Sequence, residues 1–170
     1  MAQAVLSSEL LEKANKEQEP DPWRVCFVCT GNTCRSPMAQ AVANHWAKKL
    51  GRDLIALSAG LYAVEGDFIS SNAVAALERA EIEAHPICDY RNHTAHSLED
   101  GEAETFDLLV GMGKRHAMEL MMRYPHLAHR IICMPKPISD PFGGDLSVYE
   151  ACLAEITDGV KTLLFSEDAT

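Results

Sequence analysis

The sequence predicts an α/β fold: one doubly wound domain, a four-stranded parallel sheet with helices on both faces. Three observations carry that expectation. Short, continuous apolar runs of the kind buried in a parallel sheet alternate with longer stretches of helical periodicity. Turn residues separate nearly every pair, so strands and helices follow one another in order. The chain has 170 residues, which suits a single substantial core. Right-handed crossovers then wind the chain to both sides of the sheet. In such folds ligands sit beyond the carboxyl ends of the strands.

The elements follow in sequence order. Residues 1–22 read as a separate N-terminal extension, a short helix on a polar linker that ends in Pro-Asp-Pro, with the domain proper over residues 23–170. The first strand is expected at 25–28. A glycine-containing loop comes next, and Pro37 is placed to open a helix. Ala39, Val42, Ala43, Trp46 and Leu50 recur at three- and four-residue steps, one helical face. Gly51 is a reasonable stop. A second strand is expected at 54–58 and a helix at 71–81, with Val74, Leu77 and Ala80 inward. Residues 84–100, rich in His, Asp and Asn, read as a loop or broken helix. A strand at 107–112, a helix at 114–123 that stops before Pro125, and a strand at 131–134 follow. The last helix is expected at 146–165, with Val148, Cys152, Ile156, Val160 and Leu163 or Leu164 inward.

Charge narrows the functional classes. The formal net charge is -10, a repulsive field for nucleic acid or an anionic membrane surface. Any anion site must therefore be built locally, from backbone N–H groups and one or two placed cations. No secretory pattern precedes the domain, and no run approaches the roughly 20 apolar residues of a bilayer span. A cytoplasmic setting with reduced thiols is the expectation. The six cysteines, at 26, 29, 34, 88, 133 and 152, then read as chemistry or packing before disulfides. Cys26, Cys133 and Cys152 read as inert buried thiols. A zinc site from Cys26 and Cys29 is disfavoured, because a strand points them to opposite faces and no second pair has ligand spacing.

The chemistry is concentrated in residues 29–36, Cys-Thr-Gly-Asn-Thr-Cys-Arg-Ser. A cysteine, five residues and an arginine stand between an apolar strand and a helix start. A turn of that kind directs the N–H groups of Thr30, Gly31, Asn32, Thr33, Cys34, Arg35 and Ser36 toward one hollow, where the helix dipole adds positive potential. Gly31 is expected to let the backbone bend inward, and Asn32 to tolerate left-handed geometry. The hollow suits a tetrahedral dianion, with the Arg35 guanidinium matched to two phosphoryl oxygens. The same field favours a thiolate at Cys29, a nucleophile, with Ser36 able to donate a hydrogen bond to it. Cys34 is close enough in sequence to act as a redox partner, closing a disulfide that reversibly protects Cys29.

The stretch Val28-Cys29-Thr30-Gly31-Asn32-Thr33-Cys34-Arg35-Ser36-Pro37 resembles the signature of the low-molecular-weight protein tyrosine phosphatases. The resemblance runs along most of residues 24–165, through Ser58-Ala59-Gly60 and Asp140-Pro141. It implies Cys29 as nucleophile, Arg35 as phosphate clamp and Asp140 as general acid. Asn32, Ser36 and Ser58 are implied as a supporting network, with a histidine, His93 by spacing to Asp107 or His85 by spacing from Val74. Phosphorylated proteins are the implied substrates and inorganic phosphate the product; no metal or other cofactor is required.

Thr33 is a departure from the aliphatic residue common at that place. With Asp140-Pro141-Phe142-Gly143-Gly144, it resembles the protein arginine phosphatase branch of bacteria. A hydroxyl at Thr33 suits a polar guanidine, and Phe142, the only aromatic wall the sequence offers, suits its planar face. Phosphoarginine is therefore the expected substrate and phosphotyrosine the alternative. Arsenate reductases share a similar loop but relay a disulfide through thiols after the third strand, where this chain has Gly113-Lys114-Arg115-His116 and only Cys88 at a distance. A redox-sensing phosphate-binding module is the non-catalytic alternative; Arg35, Ser36 and Asp140 together favour catalysis.

Overall fold

Residues 20–166 are described by the computed structural model. The helix and linker expected over 1–22 fall outside them, apart from three exposed residues without regular structure. Four strands form one parallel sheet: β1 (Trp23–Cys29), β2 (Leu54–Gly60), β3 (Leu108–Gly111) and β4 (Ile131–Cys133), in the order β2-β1-β3-β4. The chain crosses over through α1 (Arg35–Lys49), α2 (Ser71–Arg79), α3 (Asp100–Ala103), α4 (Lys114–Arg123) and α5 (Leu146–Leu164). The order reverses at β1, whose neighbours are β2 and β3, so the loop after β1 opens at the switch point.

Alternation along β1 divides the core. Val25, Phe27 and Cys29 pack with α1, α2 and α5, whereas Cys26 and Val28 pack on the other face with Leu109, Leu120 and Phe106. Both sets are buried, which is why the sequence shows a continuous apolar run rather than an alternating one. Cys26 and Cys29 do face opposite ways, and burial holds the Cys26 thiol well above its ordinary range. Pro37 is the third residue of α1, still inside the first turn, where a missing N–H breaks no hydrogen bond.

Several inward positions differ from the sequence expectation. In α2 the buried residues are Ala73, Ala76 and Leu77; Val74 is half-buried and Ala80 is exposed. Helix α2 ends at Arg79, and the left-handed Glu81 (φ 58°) turns Ile82 into the core where Ala80 was expected. In α5 the stripe is Tyr149, Cys152, Leu153, Ile156 and Val160, one position on from Val148, which is 41% exposed. Leu50 caps α1 on the surface, Trp46 is half-buried, and so is Cys133.

The segment 84–100 is a long connection with one 3-10 turn (Tyr90–Asn92) rather than a helix. Its final residues run beside the carboxyl end of β2: Gly60 N–H donates to His96 O (2.8 Å) and Leu98 N–H to Gly60 O (3.0 Å). That pairing brings His93 and His96 to the loop after β1. No helix among the described residues is long and apolar enough to cross a membrane.

Candidate active site

Five residues turn the chain from the last residue of β1, Cys29, to the first of α1, Arg35. Most of the carbonyls along this stretch are engaged by neighbours. Leu61 N–H donates to Cys29 O (2.9 Å), Tyr62 N–H to Thr30 O (3.0 Å) and Ser70 N–H to Thr33 O (2.9 Å). His93 Nε2 lies 3.0 Å from Asn32 O. With the carbonyls so engaged, the peptide planes turn their N–H groups the other way. Among the described residues, the N–H groups of Gly31, Thr33, Cys34, Arg35 and Ser36 have no protein acceptor. Such a ring of donors at a helix N-terminus is an anion cradle.

Cys29 Sγ lies at its base, 2.9 Å from Ser36 Oγ, and accepts the Asn32 N–H at 3.3 Å. Arg35 is largely buried, and its Nη2 is 3.6 Å from Asp140 Oδ2. Asp140 reaches over from the loop between β4 and α5, its Oδ1 accepting from the Phe142 N–H (3.2 Å). The Cys29 sulfur, the Arg35 guanidinium and the Asp140 carboxyl group therefore meet at one sheet end although 111 positions separate the first from the last. The arrangement can hold an oxyanion against a sulfur while a carboxyl group stands beside the leaving side.

Asn32 is the hub of the loop. It is fully buried, adopts a left-handed φ of 56°, and donates from Nδ2 to Ser36 Oγ (2.8 Å) and Ser58 Oγ (3.0 Å). Its Oδ1 accepts the His96 backbone N–H (3.0 Å). Ser58 Oγ–H in turn donates a hydrogen bond to Gln40 Oε1 (2.6 Å). The glycine that matters for this packing is Gly60. A Cβ there would lie 2.6 Å from Thr30 O and 2.8 Å from Ala63 Cβ. Gly31, singled out from sequence, has room for a Cβ: its nearest neighbour would be Thr33 Oγ1 at 3.9 Å.

The three histidines separate cleanly. His85 Nδ1 accepts the Ile87 N–H, away from the loop. His93 touches the loop, and burial lowers its proton affinity despite the Asn32 carbonyl. His96 stands between Glu102 (2.6 Å) and Glu65 (3.4 Å). Burial opposes its charge, but the Glu102 and Glu65 carboxylates outweigh that and raise it above the ordinary 6.5. The His96 clamp ties the 61–70 loop to α3. A raised histidine stabilises the fold fully below 6.5, while its partners are ionised, and loses that contribution as pH rises through the raised value. His96→Gln is therefore expected to lower the urea midpoint most at mildly acidic pH and least in alkali. A deficit that grew with pH would rule out the clamp.

A cleft of about 280 Å³ opens above the cradle, walled by Thr33, Tyr62, Val64, Asp67, Asp140 and Phe142. Phe142 is thus not the sole aromatic wall: Tyr62, 64% exposed, stands in the same cleft. Tyr62 donates to Glu119, and the Arg123 guanidinium lies over its ring at 5.0 Å. Spacing could not find it, because its partners lie on α4. Two more contacts carry no sequence signal. His116 Nε2 is 3.0 Å from Thr30 Oγ1, and burial, then the Arg35 charge, keep His116 toward its neutral form. Tyr149 Oη is 3.2 Å from Cys34 Sγ, and burial together with that contact pushes the phenol up to about 12. Cys29 and Cys34 are both free thiols.

A family model described as "Low molecular weight phosphotyrosine protein phosphatase" matches residues 24–169. The chain belongs to that family. It is 32% identical to a protein-arginine-phosphatase of Geobacillus stearothermophilus, over 79% of this chain and 89% of the relative. It is 30% identical to the low molecular weight protein-tyrosine-phosphatase PtpB of Staphylococcus epidermidis, over 85% and 99%. The crystal structure of a low molecular weight protein tyrosine phosphatase from T. tengcongensis superposes with a TM-score of 0.76 at 36% identity. That match covers 85% of this chain and 99% of the other. The parallel sheet and the loop after β1 are thus a family architecture, and the family comprises cysteine-dependent protein phosphatases of more than one stated specificity.

Proposed function

We propose that this phosphatase hydrolyses phosphoarginine in proteins through a phosphocysteine at Cys29. The observation that carries the chemistry is the Cys29 sulfur at the base of an amide cradle, with Arg35 and Asp140 at its rim. Cys29 attacks phosphorus in line, forming the P–S bond as the P–N bond breaks. Asp140 gives its proton to the departing guanidine nitrogen. Water then attacks phosphorus and yields its proton to Asp140, and the P–S bond breaks to release inorganic phosphate and the thiolate. Arg35 and the loop amides stabilise the equatorial oxygens throughout. Ser36 supports the leaving thiolate from 2.9 Å, and Asn32, Ser58 and His93 hold the loop in shape.

Arginine rather than tyrosine is favoured by Thr33, a hydroxyl in the cleft wall where an aliphatic residue would better suit a phenyl ring. Tyr62 and Phe142 offer faces to either planar group. The deciding experiment is turnover of phosphoarginine and phosphotyrosine peptides by the wild type and by Thr33→Ile. The wild type is expected to prefer phosphoarginine. The variant should shift the ratio of kcat/KM values toward phosphotyrosine by about 10- to 100-fold, the scale on which one pocket contact discriminates. A wild type that preferred phosphotyrosine, with an unchanged ratio in the variant, would end the arginine assignment.

A further inference from the structure

We infer that Asp67 is a specificity-determining residue that reads the positive guanidine group attached to the phosphoryl phosphorus; this rests on the phosphoarginine reading. The cleft is electrically two-layered. Its floor is made of inward N–H groups and Arg35, complementary to a dianion, while its walls carry the carboxyl groups of Asp67 and of the proposed general acid Asp140. An exposed carboxylate beside a phosphate site repels the phosphate and offers nothing to the neutral ring of a phosphotyrosine. It is complementary to a substrate in which a cation directly follows the anion, and phosphoarginine is such a substrate.

The other nearby acids are committed elsewhere. Asp140 faces Arg35, Glu119 accepts from Tyr62 and Arg123, and Glu65 accepts the Ser97 N–H (2.7 Å) and faces His96. Among the described residues, nothing donates to the Asp67 carboxylate. Its backbone, however, is fixed. Asp67 N–H donates to Val64 O (3.1 Å) and Asp67 O accepts from Ala95 N–H (2.7 Å), just after a turn at Gly66 with φ 85°. Gly66 N–H also donates to Ala95 O (3.0 Å), so the tip of the 61–70 loop is strapped to the 93–98 segment. Asp67 borders both the cleft and the neighbouring depression that runs past Phe68 toward Tyr149, which places it at the mouth. A phosphoryl group on the floor would leave the far guanidine nitrogens at that mouth. Their paired N–H donors match a carboxylate geometrically as well as in charge.

The experiment compares wild type, Asp67→Asn and Asp67→Lys on matched phosphoarginine and phosphotyrosine peptides, at low and high salt. The expected result for Asp67→Asn is a loss of about 10-fold in kcat/KM for phosphoarginine, mainly through KM, the scale of one partly solvated charge-assisted contact. Phosphotyrosine turnover should hold or rise. Asp67→Lys should widen both changes, and salt should shrink the wild-type preference. Equal losses on both substrates, or no change on either, would overturn the role of Asp67 while leaving the phosphoarginine activity of the wild type intact. A wild type inert toward phosphoarginine would overturn both readings together. Because the side chain is exposed and unpartnered, unchanged thermal unfolding of both variants is part of the expected outcome.

Discussion

Cys29→Ser is expected to lower kcat on either phosphorylated peptide by on the order of 10⁶-fold, the scale of losing a nucleophile that acts with its partners as a unit. The serine hydroxyl is close in size to the thiol it replaces, which lies 2.9 Å from Ser36 Oγ and accepts the Asn32 N–H at 3.3 Å, so the cradle is expected to keep its shape. It is not ionised at neutral pH, and the cradle cannot make an alkoxide of it. Binding of inorganic phosphate, measured as competitive inhibition for the wild type and by calorimetry for the variant, should change by less than about tenfold. That split would place the sulfur in bond formation rather than in binding. Turnover by the serine protein within about a hundredfold of wild type would remove the covalent route.

Asn32→Ala should cost about 3–5 kcal/mol of stability and at least about 100-fold in kcat. Three losses combine. The buried Ser36 hydroxyl loses its Nδ2 donor, the His96 N–H loses its acceptor, and an alanine must hold a φ of 56°. Ser58 is partly spared, since it still donates to Gln40. Activity falls because the Asn32 N–H and the Ser36 Oγ, the two groups on the sulfur, are positioned by this residue. Asn32→Gly separates the contributions: it removes the backbone strain but none of the side-chain bonds, and should recover about 1 kcal/mol. Urea unfolding and peptide turnover measure both effects. A loss in Asn32→Ala of under about 1 kcal/mol would show that Asn32 is not the hub the geometry makes it.

The parts of the site legible in the sequence were those built from contiguous chain. Strand, loop and helix start lie within about ten residues, and their geometry follows from local rules: a strand ends, amides turn inward, a helix dipole begins. The left-handed Asn32 was readable for the same reason, because its conformation is a property of residue type. Burial at α2 and α5 was less legible. A periodicity of three and four fits two adjacent stripes almost equally well, and whether Val148 or Tyr149 turns inward depends on how α5 lies against α1 and α2. Likewise the need for glycine at 60 rather than 31 appears only when β2 is laid beside the loop after β1.

By itself, then, the sequence determined the fold class, through the alternation of apolar runs and helical stretches along the domain, and the cradle with the sulfur at its base, because those lie within one strand–helix unit. Tertiary structure decided which histidine meets the loop, which carboxylate of the 61–70 loop stands uncommitted in the cleft, and that Tyr62 shares its wall with Phe142. Those residues come from separate crossovers of the sheet. Distance along the chain says nothing about their distance in space until packing of both faces fixes how the connections close over the carboxyl ends of the strands.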